Sequence, residues 1–153
     1  MSLHMSSPMP SLEGGTNWYN SIALDNAYFK GSLSLVHFFS VSCGSCKESL
    51  PDLNRWLEIY AKQGFKILSV HMPRSESDTN ITLVEEVIHD YKMRHPVVVD
   101  NWHTITDSFS NKYVPAYYLF DKELKLRHFQ AGEKAIKMVE PVIERLLNEE
   151  TAG

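Results

Sequence analysis

The order of apolar segments along the chain constrains its fold more than any other feature of the sequence. Short runs of branched and aromatic residues, typical of buried strands, alternate with segments in which apolar residues recur every three or four positions, typical of amphipathic helices. Between residues 33 and 99 the order is strand, helix, strand, helix, strand, over 33–41, 50–60, 66–71, 81–91 and 96–99. Because neighbouring parallel strands need helical crossovers, this order predicts a parallel α/β sheet with packed helices.

The pattern changes after residue 99. A short helix is expected over 105–109, and the apolar runs 116–120 and 124–129 are separated only by Asp121-Lys122-Glu123. Two strands joined so closely form an antiparallel hairpin. A last amphipathic helix follows Gly132 and ends near residue 147. The predicted fold class is therefore α/β, with a central mixed sheet of parallel strands plus a carboxyl-terminal antiparallel hairpin, flanked by helices.

The length of 153 residues fits one domain with one moderate core. The segments with a structural pattern begin near residue 17 and end near residue 148. We therefore predict a flexible amino-terminal arm over 1–16, a single domain over 17–148 and a tail over 149–153.

Charge and hydropathy exclude several classes of function. Lys plus Arg number 15 against 19 for Asp plus Glu, so the net charge of −4 offers no positive field for nucleic acid. The longest apolar run, 33–41, is too short to cross a bilayer. The first residues lack the apolar core of a secretory signal, which favours the cytoplasm, or an extracytoplasmic site if a leader has been removed. The net charge suits a soluble monomer.

The two cysteines, Cys43 and Cys46, lie where the first predicted strand meets the first long helix. At such a junction unpaired amides and the positive end of the helix dipole favour the thiolate of Cys43. Cys46 follows one helical turn later, in a more buried position, and is close enough to form a disulfide with Cys43. The pair predicts either thiol-disulfide exchange or metal binding.

The segment around the cysteines resembles a known active site. FFSVSCGSCKESLPDL is similar to the active-site segment of thioredoxin-like proteins, in the branch of the TlpA/ResA-type thiol-disulfide oxidoreductases, including their basic residue and proline at Lys47 and Pro51. The segments NWYNS, FKGSLSLVHFF, SVHMPRS and RHPVVVD are similar in order and spacing to the thioredoxin-like domain of NHL-repeat proteins. The resemblance implies a thioredoxin fold.

The resemblance also implies roles for individual residues. Cys43 would attack a protein or peptide disulfide and Cys46 would resolve the mixed disulfide, with Gly44 and Ser45 between them. Val114-Pro115 matches the cis proline of the family and would form, with Gly44 and Ser45, the surface that faces the substrate. A reductase or oxidase partner would regenerate the pair. No cofactor and no metal are expected.

Three positions depart from the family pattern. Ser42 replaces the tryptophan common before the first cysteine, which removes an apolar surface beside the reactive sulfur. His37 occupies the position of a buried acidic residue that assists proton transfer, and Ser49 stands where ResA-type proteins have a glutamate. With an ordinary pKa near 6.5, His37 is a candidate base, although a single histidine on an apolar strand is more often an interior packing residue.

Three alternatives remain open at this point. Cys43 and Cys46 together with His37 or His71 offer soft and borderline ligands for zinc or copper. Ser40-x-x-Cys43 is similar to part of the peroxiredoxin motif, although that motif's proline is replaced by Val36. The third alternative is a docking module that has the thioredoxin fold but no catalytic activity, and Ser42 is the residue that best supports it.

Overall fold

The structure, a computed structural model, describes residues 3–152 and the side chains of residues 3–149. Within that range the strands are β1 (Asn17–Tyr19), β2 (Ser34–Phe39), β3 (Lys66–His71), β4 (Val97–Val99), β5 (Ala116–Phe120) and β6 (Leu126–Ala131). The helices are α1 (Asn26–Phe29), α2 (Gly44–Tyr60), α3 (Ile81–Asp90), α4 (Thr104–Phe109) and α5 (Ile136–Ala152). Two single-turn 3-10 helices lie in the connections, at Ala61–Gln63 and Glu76–Thr79.

The strands form one mixed sheet in the order β1-β4-β3-β2-β5-β6. β2, β3 and β4 are parallel, whereas β1 pairs antiparallel with β4 and β5 pairs antiparallel with both β2 and β6. The parallel centre with its helical crossovers and the carboxyl-terminal hairpin confirm the predicted fold class. The carboxyl ends of the three parallel strands meet at one edge of the sheet, which is where α/β proteins place their functional sites.

The buried strand β2 contacts an apolar core on each side of the sheet. Leu35 and Phe39 pack with residues of α2, α3 and α5, whereas Val36 and Phe38 pack with residues of α1 and α4. Successive side chains of a strand point to opposite faces. Because helices cover both faces of the sheet, the sequence of β2 is largely apolar and does not alternate between apolar and polar residues.

The long helices begin and end where local chemistry predicts. Cys43 is the N-cap of α2, and after the 3-10 turn Gly64 adopts a left-handed conformation with φ of 87°. Glycine reaches that conformation without steric cost, which stops the helix at the expected place. Pro51 and Pro141 both lie inside helices. No helix of the described residues is both long and apolar enough to span a membrane.

The amino-terminal segment differs from the predicted flexible arm over 1–16. Met9 and Leu12 are buried in the core beneath α1 and α4. The amide of Met9 donates to the carbonyl of Leu124 at 2.8 Å, and the side chain of Asn26 accepts from the amide of Leu12 at 3.1 Å. The sequence misses this packing because the described part of the segment buries only two apolar side chains, Met9 and Leu12, which are too few to define a helical or a strand period. Residues 1 and 2 lie outside the described residues.

The carboxyl-terminal boundary differs as well. The predicted tail over 149–153 belongs largely to α5, which continues to Ala152. The carboxylate of Glu149 accepts two hydrogen bonds from Arg127 on β6, at 2.9 and 3.1 Å. This polar contact lies beyond Leu147, the last buried apolar residue among the described side chains of the helix, where apolar periodicity gives no signal. Residue 153 lies outside the described residues.

Candidate active site

Cys43 and Cys46 lie at the amino terminus of α2 and are joined by a disulfide. The backbone of Cys43 is extended, and its Sγ accepts the amide hydrogen of Cys46 at 3.1 Å. The exposed fraction of Cys43 is 5%, whereas Cys46 is 0% exposed. Of the two cysteines, only Cys43 presents any surface to solvent.

The first turn of α2 surrounds the sulfur of Cys43 with hydrogen-bond donors. The Oγ of Ser45 lies 3.5 Å from this sulfur and is the donor, because a disulfide sulfur carries no hydrogen. A Cβ added to Gly44 would meet nothing within 4 Å, so this residue faces open space. After reduction, the same amide and hydroxyl groups and the helix dipole favour a thiolate at Cys43.

Val114 and Pro115 lie at the edge of the sheet where β2 ends. Ala116 pairs with Phe38, so the residue before Ala116 stands beside the carboxyl end of β2, from which the chain runs on to Cys43. The peptide bond between Val114 and Pro115 is cis. Val114 is half-buried, and Pro115 is buried, with its carbonyl accepting the amide hydrogen of Gly132 at 3.0 Å. The fold thus brings this pair to the same edge as the dithiol.

His37 lies in the middle of β2 and is fully buried. Its Nδ1 lies 2.8 Å from the Oγ of Ser69, and that oxygen lies 2.7 Å from Nε2 of His95. A serine hydroxyl has one hydrogen, so it donates to one imidazole and accepts from the other. The His37 ring stacks between Phe39 and Tyr117. The hydrogen bond of His37 is therefore made across the sheet to β3, and not to a cysteine.

Burial keeps both imidazoles of this bridge neutral. Burial and, secondarily, the charge of His95 lower the pKa of His37 to about 3. Burial likewise lowers the pKa of His95 to about 4. A neutral imidazole with so low a pKa takes up a proton only rarely near neutral pH, so this environment favours the interior packing role of His37 over the base role.

A buried carboxylate that the sequence analysis did not single out holds the residues before Cys43. Oδ2 of Asp78 accepts hydrogen bonds from the hydroxyl of Ser40 at 2.9 Å, from that of Ser42 at 2.7 Å and from the amide of Arg74 at 2.9 Å. The guanidinium of Arg74 donates in turn to Oγ of Ser42, at 3.0 and 3.2 Å. The loop after β3 is thereby tied to the residue that precedes the reactive cysteine.

Hydrogen bonding outweighs burial in setting the charge of Asp78. Burial by itself raises the pKa of this carboxyl, but the hydrogen bonds from Arg74, Ser42 and Ser40 hold it below the ordinary value. Nearby, Nε2 of His71 accepts the amide hydrogen of Val41 at 3.2 Å. Burial lowers the pKa of His71 to about 4, against the opposing fields of Asp78 and Asp100. No periodicity or motif marks Asp78, because its partners come from another loop.

These contacts bear on the alternatives left open by the sequence. The hydroxyl of Ser40 donates to Asp78, and so it is engaged away from Cys43. One ring nitrogen of each candidate histidine, Nε2 of His71 and Nδ1 of His37, makes a hydrogen bond within the protein, whereas the other ring nitrogen of each has no hydrogen-bond partner among the described residues. Across the described part of the chain, no three His, Cys, Asp or Glu side chains are grouped so as to hold a metal ion.

Comparisons with known proteins agree with this geometry. The model of the AhpC/TSA family matches residues 5–129. The chain is 42% identical over 142 residues to the thiol-disulfide oxidoreductase YkuV of Bacillus subtilis (strain 168), a match that covers 93% of this chain and 95% of the relative. It is 22% identical over 118 residues to the thiol-disulfide oxidoreductase ResA of Bacillus thuringiensis subsp. konkukian (strain 97-27), covering 77% of this chain and 65% of the relative.

A solved structure extends the similarity to three dimensions. The solution structure of a thioredoxin-like protein in the oxidized form superposes with a TM-score of 0.88 and 40% sequence identity, over 96% of this chain and 99% of that chain. The thioredoxin-like fold predicted from the resemblance is therefore confirmed.

Proposed function

The chain belongs to the AhpC/TSA family and is a thioredoxin-like thiol-disulfide oxidoreductase, and we propose that its substrates are protein or peptide disulfides which Cys43 attacks and Cys46 resolves. A reductase or oxidase partner would return the dithiol to its starting state. Gly44, Ser45, Val114 and Pro115 would form the surface that the substrate contacts.

The observation that carries this proposal is the unequal burial of two bonded cysteines at a helix amino terminus. Cys43 keeps 5% of its surface exposed and its sulfur faces the first-turn donors of α2, whereas Cys46 is 0% exposed. A nucleophile needs access and a stabilised thiolate, and a resolving thiol needs only proximity. Both requirements are met by the same turn of helix.

The proposed exchange proceeds in two steps. The thiolate of Cys43 attacks one sulfur of the substrate disulfide, which forms a mixed disulfide and releases the first substrate thiolate to take a proton from solvent. Cys46 then gives its proton to water, and its thiolate attacks the sulfur of Cys43; the mixed disulfide breaks and releases the second substrate sulfur as a thiolate, which takes a proton from solvent. The substrate gains two electrons, and the protein is left as the Cys43–Cys46 disulfide that the structure contains.

Cysteine variants test this assignment. We expect Cys43→Ser to abolish reduction of a peptide disulfide and Cys46→Ser to accumulate a mixed disulfide through Cys43, because the second attack is lost. Mass spectrometry of the acid-quenched reaction, with turnover measured in parallel, checks both results. As a control, Ser108→Ala removes an exposed serine hydroxyl on α4, outside the site, and is expected to retain turnover. Undiminished turnover in both cysteine variants would contradict the proposal.

The same proteins separate disulfide exchange from the alternatives. A peroxidase would consume hydrogen peroxide with an added thiol at a rate that depends on Cys43, whereas the proposed enzyme is expected to reduce peptide disulfides faster. A metal site would yield a stoichiometric ion on elemental analysis of the reduced protein, lost in either cysteine variant. A docking module would give no turnover.

A further inference from the structure

A cleft of about 340 Å³ opens beside the dithiol, between the first turn of α2 and one face of α3. Ser42 and Lys47 are part of its lining. Ser42 precedes Cys43 and Lys47 follows Cys46, so the cleft lies beside the segment of chain that carries the dithiol. A substrate segment joined to Cys43 would therefore pass close to this cleft.

One face of α3 forms the opposite wall. Leu83, Glu86, Val87 and Asp90 line the cleft at spacings of three and four residues, which places them on one side of the helix. Leu83 and Val87 are the apolar part of this wall, half-buried and buried respectively. Glu86 and Asp90 are exposed at its rim. The cleft therefore combines an apolar surface with two carboxylates.

The small side chain of Ser42 keeps the cleft open. Its hydroxyl lies 2.7 Å from Oδ2 of Asp78 and accepts from the guanidinium of Arg74, so it is held by the loop after β3. Because Ser42 lines the cleft, a larger side chain at this position would extend into the space.

The carboxylates at the rim lack a basic partner. Glu86 and Asp90 are one helical turn apart, and like charges at that spacing repel each other. Among the described residues no lysine or arginine lies within ion-pair distance of either one, and the contact of Asp90 is with His89. Of the other charged groups that line the cleft, Lys47 is cationic, and Asp78 is already bound by hydroxyl and amide donors. A bound cation would relieve the repulsion.

We propose that this cleft is a substrate subsite that selects disulfides flanked by an apolar residue and, beyond it, by a lysine or arginine. The apolar side chain packs on Leu83 and Val87, and the basic side chain pairs with Glu86 and Asp90. This inference rests on the proposed function, because it assigns a substrate class to the same dithiol. It makes Glu86 and Asp90 specificity residues that act on binding and leave the chemistry to the cysteines.

Peptide disulfides test the subsite directly. Pre-reduced protein is mixed with the disulfide dimer of Lys-Leu-Cys-Leu-Lys, Glu-Leu-Cys-Leu-Glu or Lys-Ser-Cys-Ser-Lys, and released thiol peptide is measured by chromatography after acid quenching. At low salt we expect the lysine–leucine peptide to react about tenfold faster than the glutamate peptide and about fivefold faster than the serine peptide. In 1 M salt the charge preference should fall to about twofold, since the screening length is then about 3 Å.

Charge-neutralising variants complete the test. Glu86→Gln combined with Asp90→Asn should reduce the lysine-over-glutamate preference to about twofold. Glu58→Gln combined with Glu123→Gln, which removes two exposed carboxylates outside the cleft, should keep the full preference. The inference is overturned if the wild-type protein reduces both charged peptides equally, or if the Glu86 and Asp90 variant keeps the preference.

A neutral small disulfide distinguishes failure of the subsite from failure of the proposed function. If the reduced protein reacts with bis(2-hydroxyethyl) disulfide but shows no preference among the peptides, the subsite fails and the proposed function stands. If it reduces neither the small disulfide nor any peptide, the proposed function fails, and the subsite fails with it.

Discussion

His37 carries a titratable ring in the middle of the buried strand β2. The resemblance gives it the place of a proton-transferring acid, whereas the structure binds it to Ser69 and stacks it between aromatic rings. The imidazole is in the expected strand, but its chemistry is set by β3 and β5, which lie far away in the chain. Burial, and not sequence position, decides its charge.

A substitution at this position tests the base role. We expect His37→Phe to change the rates of initial attack and of resolution by less than about threefold each, because an imidazole with a pKa of about 3 is a weak base. Rapid-quench measurement of mixed-disulfide formation and decay separates the two steps. Resolution slowed tenfold with attack unchanged would restore the base role. His89→Phe, at an exposed position on α3, is the control.

The amino-terminal segment is joined to the sheet by both backbone and side-chain contacts. Pro8 pairs with Lys125 in an isolated antiparallel bridge, and the amide of Leu126 donates to the carbonyl of Ser7 at 2.8 Å. Leu12 then inserts beneath α1 and α4 with 1% of its surface exposed. This segment covers one face of the core and so supports the sheet that positions the dithiol.

Truncation of the buried leucine measures that contribution. We expect Leu12→Ala to lower the free energy of unfolding by about 2–4 kcal/mol, through lost apolar burial and an incompletely filled cavity. Met5→Ala, which shortens an exposed side chain of the same segment, should cost well under about 1 kcal/mol. Urea unfolding of the three proteins checks both values. Equal stability of Leu12→Ala and wild type would mean that the segment does not contribute to the core.

Across the whole molecule, three neutral histidines are buried in and beside the central sheet. Burial lowers the pKa of His37 to about 3 and those of His71 and His95 to about 4. Each value lies below the ordinary 6.5, so the unfolded chain binds protons more readily than the folded one. Their contribution to stability is complete above about pH 6.5 and is lost as the pH falls toward these folded-state values.

Acid should therefore destabilise the protein in a range where carboxylates are still charged. We expect the free energy of unfolding to fall by about 3 kcal/mol between pH 7 and pH 5.5, which is roughly 1 kcal/mol for each buried histidine. Urea titrations across this range provide the measurement. His95→Gln should reduce the pH dependence by about one third, whereas the exposed His89→Gln should leave it unchanged. A stability that does not change over this range would show that these histidines are not held neutral.

The order of elements and the position of the dithiol were predictable from sequence because both rest on local information. Apolar periodicity reports which faces a segment buries, and Cys43 follows directly on such a strand. Helix ends were predictable only where a local signal such as Gly64 marks them. The packing of Met9 and Leu12 was not predictable, because two buried apolar residues are too few to establish a period.

An α/β fold, a cysteine pair at a helix start and the strand that leads to it can be predicted from local sequence, since each depends on neighbours along the chain. The side chains that meet near this end of the sheet are set by the folding of distant segments. Asp78 reaches Ser42 across 36 positions, His37 meets His95 through Ser69, and Glu86 of α3 lines the same cleft as Ser42. The charge and the proton affinity of these groups depend on contacts through space, and those contacts form only when the sheet brings distant loops together.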